Sequence, residues 1–500
     1  MENSGLGRIA CIATLFCMAI GAAAGAQTYA NVASFTGSNG SFPYGTLVQG
    51  LNGNLYGVAM NGGVSTVCPE SNGCGTVFEV TPAGKVTVLY NFCQLANCAD
   101  GALPLPGLVL ATNGNFYGMT SAGGKSGGTI FEITSGGKFT SLYSFCANSN
   151  TCNNADGHMP QGTLVQAADG NLYGVTREGG DYNRCTHGCG VIFQITQAGA
   201  YSVFHAFCST TECTHDGRTP GAGLIQATNG NLAGTTASGG LGEVGIVYEI
   251  SLAGKLVKLH DFCSPACSSG WNTTAPPIEG ADGNLYGTTV GGGTSGEGVF
   301  YQLTFAKAFT DLYDFASYGP PSGLALGTDG NFYGTAANGG TSTECSGFSC
   351  GVLFQLTPAG ESSILYSFCS QASCTDGGSP SGAVTQATNG MFYGTSQFGG
   401  TGSGCGEIYG CGAIYSYSAG LSPFVAANPN FGAAGKVVNI LGNNLTGTTS
   451  VTFNGVSAAF QVVSSTYIKA QVPGGATTGT IVVTTPGGTL NSNVTFQVLP

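Results

Sequence analysis

Eighteen of the twenty cysteines in this chain stand in nine close pairs, and thiols so spaced either bond to each other or grip a metal ion. The pairs are Cys68/Cys74, Cys93/Cys98, Cys146/Cys152, Cys185/Cys189, Cys208/Cys213, Cys263/Cys267, Cys345/Cys350, Cys369/Cys374 and Cys405/Cys411. Four of them precede a strand of the GTVFEV type, and five follow a strand of the LYSF type. Where a pair is missing, both members are missing together, as self-bonding predicts. A four-cysteine zinc site needs two pairs side by side, yet several repeats keep only one pair, and half a site does not hold structural zinc. Nine local disulfides are therefore expected, with no bound metal. In the chain-entropy model each contributes on the order of 2 kcal/mol. Their expected effect is to stiffen protruding loops.

The richest loop chemistry is in TREGGDYNRCTHGC, where Arg177, Glu178, Asp181, Tyr182 and Arg184 gather in a chain with only 7% charged residues. These five are the first candidates for ligand contact. The sole tryptophan, Trp271, is the sixth: it stacks on a sugar if exposed, or plugs a gap if buried, and the sequence leaves both open. Glu70, Glu178, Asp181, Glu243, Glu297, Glu344 and Glu407 fall in comparable loops, where a ring of carboxylates could hold Ca²⁺; solvated loop charge explains them more simply. Asp100, Asp156, Asp216 and Asp376 each precede glycine and read as turn residues. His205 and His260 take a strand position usually held by Tyr and read as packing residues. No HExxH or P-loop is present. No catalytic residue is assigned.

These groups are positioned by a repeat. GNLYG or a close variant occurs seven times, with turn glycines Gly53, Gly114, Gly170, Gly230, Gly283, Gly330 and Gly390 spaced 47 to 61 residues apart. Asn or Asp precedes each, which predicts a two-residue type I′ hairpin. The second copy reads PGLVLA, TNG, NFYGMT, SAGG, GTIFEIT, SGGK, FTSLYSF: four short strands rich in aromatic and β-branched residues. Four strands at such a period predict a β-propeller blade. The seventh copy lacks its fourth strand, and a matching segment, TYANVASF, stands at the other end of the chain. The expectation is an all-β fold in which a seven-bladed propeller is closed by this N-terminal strand. In an up-and-down blade the NG and PAGK turns share one face, while the cysteine pairs and nearly all length variation share the other.

Arg8 followed by IACIATLFCMAIGAAAGA predicts a signal peptide over 1–26, cleaved near Ala26, and no transmembrane segment in the mature chain. Export agrees with the cysteine pairing. A net charge of −12 and a pI near 4.7 argue against nucleic acid as a partner. A monomer is expected.

From about Ser422 the repeat stops. Residues 421–500 lack cysteine and read as the short strands of a sandwich. VTFNG at Val451 to Gly455, AQVP at Ala470 to Pro473 and the G-x-x-x-V at Gly479 to Val483 resemble the IPT/TIG family of immunoglobulin-like domains. That resemblance implies a spacer or interaction module. The GNLYGTT and GTVFEVT…LYSF motifs of residues 27–420 resemble the GloVer tandem-repeat family. This second resemblance implies an extracellular bacterial protein of a family without assigned activity.

Together these features point to an exported binding or adhesion protein that recognises a glycan or another protein through the cysteine-bearing face at the cell surface. The alternative is a secreted propeller enzyme, a polysaccharide lyase or glycosidase, whose carboxylates converge only in three dimensions.

Overall fold

A computed structural model describes residues 27–499 except 69–72, 147–154, 181–183, 209–212, 265–266, 274, 317, 322, 343–349 and 406–409. The expected signal peptide lies outside the described residues, as do Glu70, Cys152, Asp181, Tyr182, Glu344, Cys345 and Glu407. The described elements are strands and three short 3-10 turns. Among them no helix is long and apolar enough to cross a membrane.

Each repeat makes one antiparallel sheet, and there are seven in chain order. Sheet 1 runs from Ser41–Pro43 and Val48–Gln49 through Leu55–Asn61 and Thr76–Val80 to Val86–Asn91. The middle strands are buried on both sides: Leu55 to Ala59 are all covered, as are Thr76, Val77 and Phe78. They read as continuous apolar runs because a neighbouring sheet covers each face. The strand glycine of GNLYG makes room for a ring on the next strand, since a Cβ on Gly57 would lie 2.8 Å from Phe78 Cζ.

The turn differs from expectation. Gly50 donates to the Asn54 carbonyl and Gly53 to the Gly50 carbonyl, and of the intervening residues only Gly53 has positive φ, at 82°. This is a three-residue loop closed by a left-handed glycine. Asn52 keeps an ordinary backbone because its side chain does the work, accepting the Asn54 amide at 3.2 Å.

Sheet 7 takes its fourth strand from the chain's start: Thr28–Ser34 pairs antiparallel with Ala413–Ser418. Sheet 7 in turn packs on sheet 1, with the Thr395 hydroxyl donating to the Gly45 carbonyl at 3.1 Å. Neighbouring sheets are joined by two recurring devices. At the end of the first strand, Gln49, Gln166, Gln226, Glu279 and Gln386 reach the preceding sheet at Thr388, Thr112, Ala168, Thr228 and Thr328 respectively. On the outer strands, rings stack across sheets: Tyr90 on Phe139, Tyr143 on Tyr201, His260 on Phe309 and Tyr366 on Tyr29, with centroids 3.7 to 4.1 Å apart.

The C-terminal module has two four-stranded sheets and a short parallel pair. Its core is built from residues such as Ile440, Phe453, Ile468, Val483 and Phe496. It is docked on the side of the Asn-Gly turns. Thr466 Oγ1 donates to the Leu51 carbonyl at 2.9 Å, Asn428 Nδ2 to the Leu110 carbonyl at 2.9 Å, and Asn443 Nδ2 to Thr388 Oγ1 at 2.8 Å. These contacts fall on sheets 1, 2 and 7 and so straddle the junction of the first and last repeats.

Candidate ligand-binding surface

On the turn side, six of the seven sheets repeat one acid network. In sheet 1, Glu79 Oε1 accepts Asn52 Nδ2 at 2.9 Å, Asn54 Nδ2 at 2.7 Å and the Tyr56 hydroxyl at 2.7 Å. In sheet 5, Asp282 Oδ2 accepts Asn284 Nδ2 at 2.7 Å, the Tyr286 hydroxyl at 2.9 Å and Gln302 Nε2 at 3.0 Å. The carboxylate has changed strand and the amide has changed with it. Asn/Glu pairs occur at 52/79, 113/132 and 229/249, and Asp/Gln pairs at 169/194, 282/302 and 329/355. Partial burial pushes the Glu79 carboxyl up, but the hydrogen bonds from Asn54, Tyr56 and Asn52 bring it below the ordinary value. Burial first, and then the Asp282 carboxylate, push the Tyr286 phenol up to about 12. These acids hold the turn together.

Of the Asp-Gly aspartates, expected as simple turn residues, Asp100, Asp216 and Asp376 are buried and Asp156 is half-buried. Asp100 is fully covered and takes the Gln94 amide at 2.9 Å, the Leu95 amide at 3.2 Å and the Tyr90 hydroxyl at 2.8 Å. Asp376 does the same with Ser370, Gln371 and Tyr366. In sheet 3 a histidine replaces the tyrosine, and His205 Nε2 lies 3.3 Å from Asp216 Oδ2. A charge removed from water needs several donors, and the loop is folded to supply them.

Local disulfides join Cys68–Cys74, Cys93–Cys98, Cys185–Cys189, Cys208–Cys213, Cys263–Cys267, Cys369–Cys374 and Cys405–Cys411. Cys146 and Cys350 are disulfide-bonded too. The staples do not protrude as expected. Cys74 and Cys93 are buried against Phe92 and Ala102, and Cys189, Cys208 and Cys213 against Phe207. Sulfur is apolar enough to serve as core at this end of the sheets.

Between the first strands of all seven sheets lies a cavity of about 690 Å³. Its polar lining is made of amides and hydroxyls such as Gln49, Gln161, Thr163 and Thr388, and Phe424, Asn428 and Leu441 of the C-terminal module close it on the turn side.

The open chemistry lies on the other face. Trp271 sits between the alternatives left by the sequence: its backbone bridges to Gly291, its indole lies against that glycine, where a Cβ would come within 2.4 Å of Cε2, and it keeps 37% of its surface exposed. Val290, which donates to the Trp271 carbonyl at 3.1 Å, is 37% exposed and Leu241 is 65% exposed. Asn272 donates to the carbonyl of Val244, whose neighbour Glu243 pairs with Arg218 at 3.0 Å in the open. The result is an exposed aromatic plate next to Val290, with an exposed ion pair on the loop that Asn272 meets. Sequence reasoning missed Arg218 and Leu241; one of only four arginines was a signal to follow.

Of the five candidates from sheet 3, Asp181 and Tyr182 lie outside the described residues, and Arg177, Glu178 and Arg184 belong to the sheet before the one that carries Arg218 and Glu243. Arg177 and Arg184 are exposed, and Glu178 is engaged by His158 at 2.9 Å. Of the loop carboxylates among the described residues, Glu178 lies 2.9 Å from His158 and Glu243 pairs with Arg218 at 3.0 Å.

A family model described as the Gloeobacter/Verrucomicrobia repeat matches residues 14–229, 148–318 and 219–462. No curated protein matches the sequence. Among solved structures, a streptogramin B lyase is 12% identical with a TM-score of 0.48, over 78% of this chain and 97% of its own. A virginiamycin B lyase from Staphylococcus aureus with quinupristin is 13% identical with a TM-score of 0.48, over 79% and 99%. A fungal alcohol oxidase in complex with copper is 11% identical with a TM-score of 0.47, over 95% and 100%.

Proposed function

Because the chain belongs to the Gloeobacter/Verrucomicrobia repeat family over most of its length, we propose that it is an exported, extracellular binding protein that recognises a glycan on its cysteine-bearing face. In this reading the seven sheets are the blades of a propeller closed by the N-terminal strand. The C-terminal module is an immunoglobulin-like domain that seals the turn side. No cofactor is called for. The observation that carries the reading is Trp271, an indole fixed on one side by Gly291 and exposed beside Val290. A rigid aromatic plate stacks on the apolar face of a sugar ring, while neighbouring polar groups such as Arg218, Glu243 and Asn272 meet its hydroxyls. The exposed Arg177 and Arg184 of sheet 3, with Asp181 and Tyr182, are the candidates for contacts with a longer chain.

The single tryptophan makes the test label-free. Polysaccharides titrated into the purified mature protein are expected to shift the indole emission saturably. Trp271→Ala is expected to weaken that binding, read by isothermal titration, by roughly 30-fold, the ~2 kcal/mol of an aromatic hot spot. Release of reducing ends or unsaturated products would replace this reading with a polysaccharide-cleaving one.

A further inference from the structure

The disulfides are not evenly distributed in space. In sheet 1 the sulfurs of Cys68, Cys74, Cys93 and Cys98 all lie within 4.8 Å of one another, and so do those of Cys185, Cys189, Cys208 and Cys213 in sheet 3. The two members of each set come from different loops, one before the third strand and one after the fourth, which the antiparallel pairing returns to the same end. Cys350, Cys369 and Cys374 repeat the arrangement in sheet 6. Sheets 4 and 7 carry a single pair, Cys263–Cys267 and Cys405–Cys411.

A tetrahedral zinc thiolate has Zn–S bonds of about 2.3 Å, which sets its sulfurs about 3.8 Å apart. Four sulfurs already within 4.8 Å need only small movements to reach that geometry. The ligands are also largely withdrawn from water: in sheet 3 Cys189, Cys208 and Cys213 are buried and Cys185 is half-buried. We propose that sheets 1 and 3 each hold a latent four-thiolate site that takes Zn²⁺, or a similar soft cation, once their two disulfides are reduced. The chemistry balances. A dithiol reductant gives two electrons and two protons to each disulfide and is itself oxidised to a disulfide. The four thiols of one cluster then release four protons as they bind one divalent ion. Lone pairs, as in sheet 4, stay two-coordinate and hold nothing tightly. The local bridges of the oxidised protein and the zinc of the reduced one are two states of the same cluster. This inference is independent of the glycan reading.

Co²⁺ is the probe, because tetrahedral thiolate coordination gives it intense visible absorption. The mature chain is produced in a reducing cytosol with zinc, purified anaerobically with a phosphine reductant, and its metal exchanged for cobalt. At least the two complete clusters are expected to fill, with the thiolate absorption saturating accordingly. The Cys93→Ser/Cys98→Ser variant is expected to lose one equivalent, and Cys263→Ser/Cys267→Ser none. The oxidised protein is expected to show no such absorption. The proposal is overturned if the reduced chain binds no cobalt in this form, if both variants lose equally, or if the chain precipitates in reducing, zinc-containing buffer while remaining soluble when oxidised.

Discussion

The two ends of the seven sheets are built by opposite rules. On the turn face six sheets repeat one carboxylate with its amide and asparagine donors, and the position of the charge shifts between two strands without changing the network. On the cysteine face the sheets differ: two pairs in some, one in others, and none in sheet 5. There Tyr318 packs on Phe315 and Phe354, where sheet 2 instead packs Phe139 on Phe92 and Phe131. Repetition marks what every sheet needs in order to stand. In the proposed reading, departure from it is where a ligand binds, and the C-terminal module contacts the repetitive face through Thr466 and Asn443.

The comparison breaks most severely if the N-terminal strand is removed. Deleting Gln27 to Phe35 exposes the strand Ala413–Ser418 and removes the Tyr29 ring from its stack on Tyr366. A loss of more than ~5 kcal/mol, comparable to the whole stability of a domain, is expected in a denaturant melt. Removing Cys93 and Cys98 together as serines is expected to cost about 2 kcal/mol in the same assay.

The acid network offers a sharper test. Glu79→Gln leaves Asn52, Asn54 and Tyr56 without their charged acceptor and is expected to cost about 1 kcal/mol. Adding Asn52→Asp recreates the arrangement of sheets 3, 5 and 6 and is expected to recover most of that loss. Because the folded Glu79 carboxyl titrates below its ordinary 4.5, its contribution is present above that pH and disappears as pH falls through the lower folded value. A double-mutant cycle followed from pH 7 downward should therefore show the coupling at neutral pH and its loss as the carboxylate is protonated.

A further effect concerns His260. Burial against Phe262 and Phe309 lowers its pKa from 6.5 to about 4, so the unfolded chain takes up the proton first. Stability is expected to decline as pH falls from 6.5 towards 4, and His260→Phe should flatten that part of the profile.

Much of this construction was legible in the residues. The GNLYG repeat announced its strands, and the missing seventh LYSF segment pointed to the N-terminal one. The pairing of Asn52 with Glu79 and of Asp169 with Gln194 was equally visible in the letters, but its meaning requires knowing that turn and third strand meet side by side. The docking of Thr466 on Leu51 was not legible, because a contact between modules 415 residues apart leaves no local pattern. Nor was the burial of the sulfurs: short loops with cysteines suggest projection, and only the packing of Cys74 beneath Phe92 shows them as core. Trp271 could be named but not oriented, since its exposed face depends on Gly291, twenty residues away.

The central claim is that ligand binds the cysteine face. It is tested most directly by comparing the polysaccharide affinity of Trp271→Ala with that of Lys85→Ala/Lys138→Ala, two exposed changes on the turn face, in proteins shown to melt together with the parent. A loss of roughly 30-fold for the first and none for the second is expected. Retained affinity in Trp271→Ala with binding abolished by the lysine changes would place the site on the opposite face and leave the cysteine loops a purely structural role.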